Sequence, residues 1–302
     1  MAKFILTLSH RVHIAMNVFA KTAALGAILA GVAFPALAQQ KSALPVPTPA
    51  THLAGVTGSL ASVVGKTKYV HEQENNSPAA VVLPLGDGKY EVEADCSGWV
   101  SHNLKKLPLQ YEAVHAYQSQ VPGEAEKPYP RANVYRQYFA NLKPGAPFTP
   151  VRKLADVRPG DILSWCLPGH CGIPYTGKPA NDTGHVMVVM SQPIPAGRGK
   201  AYLMVLDSSS VAHYSAKTLP PAVLKAHPGL AQAYARYPDV RDTVVDGKVS
   251  ANGVGPGFIL FGTDARGAIN SFQFGPGDHV NSEDILFAVG RPAQPAATVA
   301  SK

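Results

Sequence analysis

The feature that most constrains the fold of this chain is a cysteine placed where a helix begins. Residues 95–100 read Asp-Cys-Ser-Gly-Trp-Val, and they lead into a helical run that ends near Leu107. Unpaired backbone N–H groups and the positive end of the helix dipole meet at such a position, and both favour a thiolate over a thiol. The pattern predicts a nucleophilic thiol at Cys96, and a buried, inert cysteine is the alternative.

The first 38 residues have the pattern of an export signal. Three basic residues accompany an apolar stretch at 22–34, and the small residues at 36–38 form a cleavage site. We therefore expect export to the periplasm or the cell exterior, with a mature chain that starts near Gln39. An uncleaved anchor is the alternative, although the apolar stretch is short for a membrane span.

The charge of the mature chain is mildly positive. The formal net charge of +7 falls to +4 when the three basic residues of the signal are removed. The basic residues form no concentrated stripe interleaved with aromatics, which argues against nucleic-acid binding. A mild positive excess suits an anionic cell envelope instead. We expect a monomer with no membrane span after removal of the signal.

The three cysteines divide into a pair and a single residue. Cys166 and Cys171 are near enough in sequence to close a small loop, and an oxidising compartment favours their disulfide. Cys96 is then left as a free thiol, which in an exported protein needs a functional reason. A zinc site at Cys166, His170, Cys171 and His185 is the alternative, because thiolate and imidazole are good zinc ligands.

The chain has the pattern of one α+β domain at 53–292, between a flexible leader at 39–52 and a flexible tail at 293–302. A hairpin at 80–92 with a Gly-Asp-Gly turn leads to the cysteine helix. Further helices are predicted over 53–69, 111–119, 132–142 and parts of 222–237. Further strands are predicted at 186–191, 201–207, 257–261, 268–274 and 285–289, with one more after the turn at 158–161.

Two strands carry candidate partners for the cysteine. His185 stands at the start of a β-branched strand, and Asp207 ends the next one. A thiol on a helix, with an imidazole and an orienting acid on neighbouring strands, is the set of groups that nucleophilic acyl chemistry needs. A structural histidine and a local Asp-Ser turn are the alternatives for these two residues.

Three segments in this order resemble the NlpC-type cell-wall cysteine peptidases, a papain-like family. They are the cysteine segment 95–100, the Pro-Gly-Asp turn and following strand at 156–163, and the histidine strand beginning Gly-His-Val at 184–186. The resemblance implies a nucleophile helix packed on an antiparallel sheet. The segments 108–150 and 220–257 match no part of the family pattern, and we expect them to be insertions that wall the cleft.

The resemblance assigns a role to each candidate residue. Cys96 is the nucleophile, His185 is the general base and then the general acid, and Asp207 orients the imidazole. The family usually has His, Asn or Gln at the third position, so Asp207 departs from its pattern. Tyr69 corresponds to an upstream tyrosine of the family, without the glycines that follow it there. Tyr69 and Ser97 are candidate substrate-binding or oxyanion residues, beside the Cys96 N–H.

The expected substrate, by resemblance, is an amide bond in peptidoglycan stem peptides, and this chemistry requires no metal or organic cofactor. Two other functions remain open. The same three residues would support acyl transfer or amidase action on another small amide. A binding or structural protein of the envelope would keep the fold without activity.

Overall fold

A computed structural model of the chain describes residues 47–71, 79–172, 182–245, 248–281 and 284–294, without the side chains of 242–251. The predicted signal at 1–38, most of the predicted leader and residues 295–302 of the tail lie outside the described residues. All the described residues belong to the unit Val46–Lys302.

The described residues form six α-helices and thirteen strands. The helices are α1 Pro49–Ala61, α2 Cys96–Leu104, α3 Pro108–Gln118, α4 Ala132–Ala140, α5 Pro221–Ala226 and α6 Gly229–Ala235. The strands are β1 Val64–Tyr69, β2 Val81–Gly86, β3 Lys89–Ala94, β4 Phe148–Pro150, β5 Ile162–Cys166, β6 Gly184–Val189, β7 Ile194–Pro195, β8 Lys200–Ser209, β9 Asp242–Val245, β10 Lys248–Ala251, β11 Gly253–Thr263, β12 Ile269–Gln273 and β13 Leu286–Pro292.

The largest sheet is antiparallel throughout the described residues. Its strand order is β12-β11-β8-β6-β5-β13-β4, and the short β7 pairs with β8. The strands predicted to carry the histidine and the aspartate, β6 and β8, are neighbours in this order. The predicted α+β class with an antiparallel sheet is confirmed.

Helices cover one face of this sheet. α2 packs on β6 and β8, and α4 packs on β5, β6 and β13. Successive side chains of β6 enter opposite cores: Val186 and Val188 pack in the core that contains Trp99 of α2, and Met187 and Val189 pack in the core that contains Trp165. Every residue of β6 is buried as a result.

A second sheet of three strands leads the chain to α2. β2 and β3 form the predicted hairpin, and Asp87 and Gly88 at its turn have φ of +48° and +70°. This combination is typical of the tight turns that join antiparallel strands. β3 ends at Ala94, two residues before Cys96, so the hairpin places the start of α2.

The predicted helix over 53–69 is correct only in its first part. The helix begins at Pro49, inside the predicted leader, because Thr48 caps it and accepts a hydrogen bond from the Thr51 N–H. It ends at Ala61, and β1 follows from Val64. β1 pairs in parallel with β3, so pairing with a distant strand overrides the local helical spacing.

The two segments outside the family pattern add small elements. Residues 108–150 form α3, α4 and β4, and the predicted helical region after Pro220 forms α5 and α6, interrupted near Pro228. α5 and α6 contain no buried residue. None of the helices in the described part of the chain has the length and hydropathy of a membrane span.

Candidate active site

Cys96 is the first residue of α2 and is buried, with 5 % of its surface exposed. Asp95 caps the helix: its Oδ1 accepts hydrogen bonds from the Gly98 N–H at 2.6 Å and the Ser97 hydroxyl at 3.0 Å. The Tyr129 hydroxyl donates to Asp95 Oδ2 at 2.9 Å. These three bonds fix the end of the helix that presents the thiol.

Gly98 allows a close contact that also positions this helix start. A Cβ atom at residue 98 would lie 1.9 Å from the carbonyl oxygen of Ala79, which precedes β2. Any side chain at this position would push the helix away from the hairpin. The glycine of the cysteine segment is therefore required by packing.

His185 enters the site from the start of β6. Gly184 before it has φ of +130°, and a Cβ there would lie 2.0 Å from the Trp165 carbonyl oxygen. The His185 ring packs against Trp165 on β5, with ring centroids 5.2 Å apart, and against Phe274 at 5.6 Å. The ring is thus held by aromatic contacts and shielded from water.

The imidazole of His185 joins the other two candidate residues. Its Nε2 lies 2.6 Å from Asp207 Oδ2, and Cys96 is the other side chain that interacts with the ring. Burial by itself lowers the His185 pKa, but attraction to Cys96 and the interactions with Asp207 outweigh burial and raise the pKa to about 10. The structure brings Cys96, His185 and Asp207 together in this order.

Asp207 is completely buried and has two partners that the sequence did not indicate. His213 Nε2 lies 2.8 Å from Oδ2, the oxygen that also contacts His185. The Arg241 guanidinium lies 3.4 Å from Oδ1. Burial raises the Asp207 pKa, but the two imidazoles outweigh burial and hold the pKa well below its ordinary value. Asp207 is therefore a carboxylate acceptor for every group around it.

His213 and Arg241 carry no local signal of their role. His213 lies in a loop six residues after Asp207, and Arg241 lies 34 residues after it, just before β9. Two features would have drawn attention to them: a histidine close after the acid, and an arginine beside Asp239, with which it pairs at 3.0 Å. Neither feature identifies Asp207 as the shared partner.

Tyr69 and Ser97 lie close to the cysteine. Tyr69 ends β1, and burial, followed by electrostatic interaction with Cys96 and Asp95, raises its pKa well above the ordinary range, so its hydroxyl keeps its proton. Ser97 is buried, and its hydroxyl donates to Asp95. The Ser97 hydroxyl proton is thus already donated to the capping residue of α2. Tyr69, in contrast, lines the same cavity as Cys96.

Two cavities meet at the candidate site. One of about 390 Å³ lies on the Cys96 side, and one of about 270 Å³ lies on the His185 side. Both are lined by Tyr69, Asp182 and Gly184. The Cys96 side adds polar and charged groups, whereas the His185 side adds aromatic groups together with polar ones such as Ser209 and Asn281. The residues specific to one cavity include Lys127 and Arg131 on the Cys96 side and Trp165, Phe272 and Phe274 on the His185 side.

The sulfurs of Cys166 and Cys171 form the expected disulfide, and Cys96 is free. In this state the two bonded sulfurs do not serve as zinc ligands. A different set, His185, Asp207 and His213, has ligand atoms within 4.8 Å of one another. Both imidazoles, however, direct Nε2 at the carboxylate, and the Arg241 cation lies against the same Asp207. These residues fit a hydrogen-bond network better than a metal site.

Comparisons with known proteins identify no relative: no family model, no curated protein and no solved structure matches this chain.

Proposed function

We propose that the protein is a papain-like cysteine hydrolase of the NlpC type, which cleaves an amide bond through Cys96, His185 and Asp207. One observation carries the proposal. The buried His185 ring interacts with Cys96 and has a carboxylate oxygen, Asp207 Oδ2, 2.6 Å from its Nε2. A thiol at a helix start, a shared proton and an oriented imidazole are together the requirements for a cysteine nucleophile.

The two ring nitrogens of His185 have separate roles in the reaction. Asp207 holds the Nε2–H of His185, so Nδ1 accepts the Cys96 proton. The thiolate attacks the amide carbonyl carbon, and the imidazolium then protonates the leaving nitrogen as the C–N bond breaks. Water, deprotonated by the neutral imidazole, attacks the thioester and releases the acid and the thiol.

We infer that two groups stabilise the oxyanion. The N–H of Cys96 belongs to the first turn of α2 and has no partner within the helix. The Tyr69 hydroxyl, which keeps its proton, lines the same cavity. Donors directed at the developing negative charge are the largest source of rate enhancement in acyl transfer.

The substrate is proposed to be an amide in peptidoglycan stem peptides, by the resemblance of the three segments to the NlpC-type peptidases. The cavities support a substrate that extends on both sides of the scissile bond. The side next to His185, which protonates the leaving amine, takes the amine portion. The side next to Cys96, whose sulfur attacks the carbonyl carbon, takes the acyl portion.

The test is incubation of the full chain with purified peptidoglycan, followed by mass spectrometry of the soluble fragments. We expect new amine and carboxyl ends with the native protein and none with Cys96→Ala or His185→Gln. Addition of a small primary amine separates transfer from hydrolysis, because a transferase gives amidated products. Identical fragments from native protein and Cys96→Ala would refute the proposal, and binding without cleavage would indicate an envelope-binding protein.

A further inference from the structure

His213 and His185 use the same carboxylate oxygen. Their Nε2 atoms lie 2.8 Å and 2.6 Å from Asp207 Oδ2. An ionised carboxylate only accepts hydrogen bonds, so both imidazoles carry a proton on Nε2. In His185 this places the Nε2 proton on the Asp207 side and leaves Nδ1 for proton transfer.

The burial of His213 is unfavourable apart from its bond with Asp207 and its ring contacts. The exposed fraction of its side chain is 1 %, and its Nδ1 is buried without a hydrogen-bond partner among the described atoms. A buried, unsatisfied polar atom costs roughly 1–3 kcal/mol. The ring stacks on Phe274, with centroids 5.0 Å apart. A purely apolar residue would fill this place without that cost, which points to the bond with Asp207 as the role of the ring.

Arg241 holds the other side of the same carboxylate. Its guanidinium contacts Asp207 Oδ1 at 3.4 Å, Asp239 Oδ1 at 3.0 Å and the carbonyl oxygen of Pro256. The Tyr234 hydroxyl in turn donates to Asp239 at 2.5 Å. These contacts come from the segment 220–257, which matches no part of the family pattern. Through Arg241, this segment thus contacts Asp207 Oδ1, the carboxylate oxygen that does not contact His185.

We propose that His213 and Arg241 are positioning residues, which fix the Asp207 carboxylate against His185 and so hold the imidazole in its productive tautomer. The inference rests on the proposed function and extends it to the segment 220–257. Three donors on one buried carboxylate leave it no freedom to rotate away from His185. Loss of one donor lets the carboxylate turn, and the charge at His185 is then less well stabilised.

The test compares one substitution at His213 that removes the hydrogen-bond donor with one that keeps a donor. His213→Phe keeps a ring against Phe274 and removes the donor, whereas His213→Gln places an amide donor near the position of Nε2. The first measurement is the NMR titration of His185, assigned by its absence in His185→Gln. The second is the rate of Cys96 alkylation by iodoacetamide as a function of pH, followed by mass spectrometry.

With His213→Phe we expect the His185 titration to move to lower pH and the alkylation rate at neutral pH to fall about tenfold, the effect of a change of one unit in a pKa. His213→Gln should restore most of both. Equal titration and alkylation in native protein and His213→Phe would overturn the inference. If His213→Phe does not fold, Arg241→Lys gives the same comparison with a shorter donor, and unchanged values there would also overturn it.

The two proposals fail in different ways. If the native Cys96 reacts no faster than a model thiol, the proposed hydrolase function is wrong. If the native thiol reacts fast and the His213 and Arg241 variants match it, only the positioning role is wrong.

Discussion

Trp165 faces His185 across the β5–β6 pair, and their ring centroids lie 5.2 Å apart. A protonated imidazole quenches indole fluorescence more strongly than a neutral one. Because the His185 pKa is raised to about 10, the imidazole stays charged through neutral pH. We expect Trp165 fluorescence to rise as the pH passes about 10, in a Trp99→Phe background that isolates the signal. In Cys96→Ala the rise should move to lower pH, and an identical midpoint would contradict the attraction between the two groups.

The raised pKa of His185 also makes stability depend on pH. A group whose pKa is higher in the folded protein stabilises it fully below the unfolded value of 6.5, and this contribution is lost as pH rises through about 10. We expect the free energy of unfolding in urea to fall between pH 7 and 10. The decrease should be smaller in His185→Gln. An equal decrease in both proteins would assign the pH dependence to other groups.

Gly98 tests the packing of the nucleophile helix. A Cβ there would lie 1.9 Å from the Ala79 carbonyl oxygen, so Gly98→Ala should lower the free energy of unfolding by at least about 1–3 kcal/mol. The matched control is Gly55→Ala in α1, where nothing lies within 4 Å. That change should be neutral or stabilise by up to about 1 kcal/mol. Equal effects in urea unfolding would contradict the close contact.

Asp207→Asn tests the orientation of the imidazole. An amide presents a donor as well as an acceptor, so it favours the wrong His185 tautomer while it keeps the side-chain volume. We expect amide hydrolysis to fall by up to about 10⁴-fold, as measured by kcat/KM on the fragment identified from peptidoglycan. Circular dichroism serves as the control for folding. Activity within a factor of two of the native protein would remove Asp207 from the mechanism.

Metal chelation tests whether His185 and His213 bind a metal ion. The Nε2 atoms of His185 and His213 are directed at Asp207, and Arg241 lies beside the same carboxylate. We therefore expect dialysis against EDTA to leave peptidoglycan cleavage and the melting temperature unchanged. A loss of either that Zn²⁺ restores would show that the cluster holds a metal.

Much of the local structure was predictable from the sequence. The hairpin before α2 follows from the Gly-Asp-Gly turn, and β6 and β8 follow from runs of β-branched and apolar residues. Asp207 was predicted to end its strand, but β8 continues to Ser209. The hairpin and the strands depend on short-range signals, which a sequence carries directly. The grouping of Cys96, His185 and Asp207 was predicted from the order of three motif segments.

Other features depend on contacts between distant residues. The β1 segment was predicted as helix. Its strand conformation depends on pairing with β3, which the sequence of its own six residues does not indicate. Arg241 contacts Asp207 only because the turn before β9 folds back on β8 and β11. The shared Asp207 oxygen likewise depends on the loop that carries His213. Tertiary placement decides all three, so no local pattern indicates them.

The measurement that tests the central claim most directly is the alkylation of Cys96 by iodoacetamide at neutral pH, with His185→Gln as the matched variant. The pairing of a thiol with an oriented imidazole predicts that the native Cys96 reacts at least about ten times faster than a model thiol, and that His185→Gln loses this advantage. A native rate equal to that of the model thiol, or an unchanged rate in His185→Gln, would contradict the account.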